Sequence, residues 1–69
     1  MEVNELIKYI SDMSIIDKLK LGISVFSSNY IMSIYQIYNN KIIMFLTVRI
    51  LEYSKEEQNK VAMYLVNSV

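Results

Sequence analysis

The chain of 69 residues holds no His and no Cys, so any chemistry it performs must use carboxylates, amines, hydroxyls or phenols. The commonest general base and the thiolate nucleophile are thereby missing. Its acids are Glu2, Glu5, Asp12, Asp17, Glu52, Glu56 and Glu57. Glu56 and Glu57 are adjacent, and a paired-carboxylate site is the chemistry they would offer. Their place just after Ser54 explains them instead as first-turn charges at a helix start. Ser54 and Lys55 fail as a nucleophile and base, because neighbours on a helix do not face one another. No alternating Asp/Asn loop that would wrap calcium is present. The single glycine, in Gly22-Ile23-Ser24, matches neither the P-loop nor the dinucleotide fingerprint. The expectation is a non-enzyme with no cofactor and no metal site.

Nucleic acid is the next ligand class to weigh. Lys plus Arg is 7 and Asp plus Glu is 7, a balance that gives no bulk attraction to phosphates. The contacts available to DNA are Lys18, Lys20, Ser27, Ser28, Asn29 and Lys41. The stretch Asp17 to Ile31 resembles a helix-turn-helix with Gly22 in its turn, and a winged version would place Lys41 at a hairpin tip. It departs from that pattern at Asp17, Lys18 and Ser28, where the family carries apolar or small residues. Arg49 is the only Arg, and Arg is the main base-reading side chain. A DNA-binding regulator is therefore the second reading.

The first reading comes from the apolar side chains. They make up 54% of the chain, above the usual share, and a chain this short buries only about 60% of its unfolded surface. A large exposed apolar patch marks an interaction surface. Tyr30, Tyr35 and Tyr38 could stack bases, but without a basic groove they suit a protein interface better. Together with Ile43 and Phe45 they are the expected partner contacts. A membrane does not absorb the surplus. The densest apolar run, Ile42 to Val48, is bracketed by Lys41 and Arg49 and is far shorter than the roughly 20 residues of a span. The acidic start at Glu2 and Glu5 does not read as a signal peptide, so a cytoplasmic location is expected.

The elements that must position these residues follow from spacing. Asn4 can cap a first helix whose stripe is Leu6, Ile7, Ile10 and Met13. Ser14 can cap a second, carrying Ile15, Ile16, Leu19, Ile23 and Phe26. Gly22 either ends that helix or admits another backbone. Two β-prone runs, about residues 30–38 and 41–53, flank Asn39-Asn40 and read as a hairpin. Its strand face would carry Ile42, Met44, Leu46, Val48 and Ile50. Ser54 and Glu57 form a capping box for a C-terminal helix over about residues 55–67. The expected fold is one α+β domain over residues 1–69, with two N-terminal helices, the hairpin and the last helix. The alternative is an all-α bundle, because residues 31–46 also keep a 3-4 rhythm. Covering both faces of a hairpin takes more helix than the chain owns, so a second copy is expected as partner. The expected function is a small, non-catalytic, homodimeric interaction module, accessory or regulatory, and its Ile-, Asn-, Tyr- and Met-rich composition suits a viral or plasmid protein.

Overall fold

Helix starts are written into the chain as residues whose side chains can hold free backbone amides. The computed structural model describes residues 1–27 and 40–68. Helix α1 spans Val3–Ser11, α2 Ile15–Phe26, α3 Lys41–Leu51 and α4 Lys55–Asn67. The Ser14 hydroxyl accepts the Asp17 amide at 3.1 Å and so starts α2. At α4 both halves of the capping box are made. The Glu57 amide donates to Ser54 Oγ at 3.2 Å, and the Ser54 amide donates to Glu57 Oε1 at 3.3 Å.

Three expectations change. First, the α+β fold is replaced by an all-helical one: among the described residues there is no strand. The segment expected as the second strand, 41–53, is α3 and the turn into α4; the run 30–38 lies outside the described residues. The reason is Asn40. Its Oδ1 accepts from the amides of Ile42 and Ile43, both at 3.1 Å, so the local bonding that suits Asn to a hairpin turn here caps a helix. An unbroken apolar run satisfies periods of 2 and 3.6 alike. The core took the helical subset: Ile43, Leu46, Thr47 and Ile50 are buried, while Ile42, Met44 and Val48 are 54%, 44% and 52% exposed.

Second, Asn4 is not a cap. Glu2 occupies that position without a side-chain bond, and Asn4 lies inside α1, where its Oδ1 accepts from Lys60 Nζ at 2.8 Å. Third, Gly22 does not end a helix, and no backbone among the described residues closes on it. It sits in mid-α2 with an ordinary negative φ, and a Cβ built there meets nothing among the described residues within 4 Å.

All four helices of the described residues contribute to the core. Leu6 and Ile10 come from α1, Leu21 from α2, Ile43, Leu46 and Ile50 from α3, and Val61 and Leu65 from α4. α2 lies most extensively against α3, and α4 crosses α1, α2 and α3. Two hydroxyls are buried at the α2–α3 contact, with Ser24 Oγ 2.7 Å from Thr47 Oγ1. Ser24 spends its one proton on the Leu21 carbonyl at 2.9 Å, so Thr47 donates to Ser24. Among the described residues no buried side-chain polar atom lacks a partner.

Candidate interaction surface

These eight side chains fill the core and Val3, Ile7, Met13, Val25, Tyr53 and Tyr64 pack half-buried against it, yet much apolar material among the described residues still faces outward. Thirteen large apolar side chains are more than two-fifths exposed among the described residues. Seven of them gather in two places. One is the outer side of α3, where Met44, Phe45, Val48 and Leu51 stand opposite the buried row of Ile43, Leu46, Thr47 and Ile50. At 100° per residue these four share one side of the helix. α3 is thus apolar nearly all round, which in a globular chain is the mark of a helix covered on both sides. Polar groups bound this face: the Arg49 guanidinium lies 5.3 Å from the centre of the Phe45 ring, Lys41 stands at the first turn and Glu52 at the C-terminal cap.

The other place is a shallow groove of about 350 Å³ between α2 and α4. Leu19, Gly22, Ile23, Phe26, Ala62 and Val66 line it. Its rim carries Lys18, whose ammonium sits 5.5 Å from the centre of the Tyr64 ring. A smaller depression of about 270 Å³ lies where the starts of α2 and α3 meet, with Tyr9, Asp12, Asp17 and Asn40 on its walls. Asn40 is already committed there as the α3 cap.

Of the expected partner contacts, Phe45 is 47% exposed on the α3 face. Ile43 is corrected: it is fully buried in the core and offers nothing to a partner. Tyr30, Tyr35 and Tyr38 lie outside the described residues, as do Ser28 and Asn29. The geometry expected for reading DNA is changed as well. α2 runs unbroken from Ile15 to Phe26 through Gly22, so no turn falls at that glycine, and Lys41 opens a helix instead of tipping a hairpin. Lys18 and Lys20 project about 200° apart around α2, so they do not share a face. Ser27 terminates α2. Missed from the sequence were Met44, Val48 and Leu51 on α3 and the α2–α4 groove. A helical wheel over residues 41–52 would have found the first set.

No group of three carboxylate, His or Cys side chains is placed to hold a metal among the described residues. Among the described residues one titratable group is clearly perturbed, the Tyr53 phenol. Burial raises its pKa above the ordinary 10.0; the nearby carboxylates of Glu57 and Glu5 raise it further, against an opposing pull from Arg49. Its hydroxyl donates to the Met1 carbonyl at 2.7 Å, a structural tie between the α3–α4 turn and the N-terminus. No helix among the described residues is long and apolar enough to cross a membrane. Comparison with protein-family models, curated proteins and solved structures finds no match.

Proposed function

We propose that this chain is a small non-catalytic interaction module that acts by covering its outer apolar faces with protein, beginning with a second copy of itself. The observation that carries the reading is the outward row of Met44, Phe45, Val48 and Leu51 on a helix whose opposite side is core. At about 25 cal/mol per Å² of apolar surface removed from water, leaving such a row wet forgoes several kcal/mol that association would recover. The role is occlusion or bridging, performed by a surface and not by a pocket. Sedimentation velocity over micromolar to millimolar protein tests it: concentration-dependent dimers support the reading, and a monomer throughout the range overturns it.

A further inference from the structure

Helix α3 carries the charges of its first residue and its C-terminal cap in the sense its own dipole disfavours, while Arg49 in its last turn follows the favoured sense. Lys41, a cation, is its first residue, where the amide ends present positive charge; Glu52, an anion, caps its carbonyl end. α4 also begins on a lysine, Lys55, but Glu56 and Glu57 offset it there, and Asp17 serves the start of α2; the first turn of α3 holds no acid to offset Lys41. Lys41, Phe45, Val48 and Glu52 are spaced 4, 3 and 4 residues apart, the spacing of a coiled-coil seam. All four are exposed.

We propose that two copies pair through this seam, α3 against α3 and antiparallel, about a two-fold axis crossing the helix between Leu46 and Thr47. The inference rests on the self-association reading above and specifies its interface. In this arrangement Phe45 faces the partner's Val48, and Val48 faces the partner's Phe45. Met44 flanks the seam beside the partner's Leu51. Lys41 meets the partner's Glu52, so each misplaced charge acquires an opposite charge and each helix dipole lies against a reversed one. A parallel pairing would instead set Lys41 against Lys41 and Glu52 against Glu52. Charge complementarity thus selects both the occupant, a second copy, and its direction. Two-fold symmetry makes every contact occur twice.

The test is a charge-reversal cycle on the full chain, read by sedimentation equilibrium with helicity followed alongside. K41E and E52K should each weaken the dimer roughly tenfold, since each reverses two contacts, and the double variant should return to within about threefold of wild type. Within one copy the two residues are about 16 Å apart along the helix, so mutual rescue must arise between copies. V48D, at an exposed position, should abolish the dimer while leaving the helical signal in place. A wild-type dimer insensitive to both reversals and to V48D, or a double variant no stronger than the weaker single one, overturns this seam and leaves self-association standing. A wild-type monomer overturns both.

Discussion

Replacing Gly22 with Ala should raise stability, and the size of the gain follows from where the glycine sits. It is eighth of the twelve residues of α2, with helical backbone and an open space where the Cβ would go. Glycine in a helix interior costs about 0.5–1 kcal/mol relative to alanine, mainly through the greater freedom of the unfolded chain. Nothing among the described residues opposes the change, so the full amount is recovered. For a domain this small, 1 kcal/mol corresponds to about 4–8 °C in Tm, giving an expected rise of about 2–8 °C for G22A. Thermal unfolding followed by circular dichroism measures it, at protein concentrations below and above dimerisation. The α3 seam predicts the same rise at both, because Gly22 faces the α2–α4 groove instead. A lower Tm for G22A would refute the mid-helix placement and restore the need for a glycine backbone there. A rise in dilute protein that vanishes when the protein is concentrated would show a second copy approaching α2.

Other substitutions test the remaining assignments. Asn40→Ala should cost about 1 kcal/mol through loss of the α3 cap, while Asn40→Asp should hold stability within a few tenths; equal losses in denaturant titrations would argue against capping. Ser24→Ala removes the acceptor of a buried Thr47 hydroxyl and should cost about 1–3 kcal/mol, whereas Thr47→Val removes the hydroxyl itself and should be nearly neutral in the same titrations. Tyr53 gives a pH dependence: its folded pKa is raised, so its contribution is intact below about pH 10 and is lost as pH climbs past that value. Tyr53→Phe should be less stable at neutral pH, lacking the bond to the Met1 carbonyl, and should lose less stability between about pH 9 and 11 than wild type. Parallel melting curves for the two proteins across that range would contradict the assignment.

The parts of the fold legible in the sequence were those set by short-range bonding. Ser14 with Asp17, and Ser54 with Glu57, mark helix starts because donor and acceptor lie three residues apart, and nothing distant alters that. Asn4 misled because a side chain able to cap can equally reach a distant lysine; only the approach of α4 to α1 gives it Lys60. Residues 41–51 could not be assigned from pattern because nearly every position is apolar, leaving no contrast from which to read a period. The surplus of apolar residues was visible in the composition, but its placement required knowing which side of α3 met the core. Ile43 and Phe45 looked equivalent as neighbouring candidates, and the helix turned one fully inward and the other out.

The hydroxyl pair of Ser24 and Thr47 has a consequence for alignment. Leu, Ile and Val side chains of similar bulk fill the core, and such a core tolerates several arrangements of nearly equal energy. Sliding α2 along α3 by one turn, or rolling either helix, would exchange one greasy contact for another at little cost. It would also strand the Thr47 hydroxyl in a dry environment, since Ser24 would keep only its bond to the Leu21 carbonyl of its own helix. The only polar side chains buried among the described residues thus act as a locating pin, penalising every misfit register while adding little to the strength of the correct one.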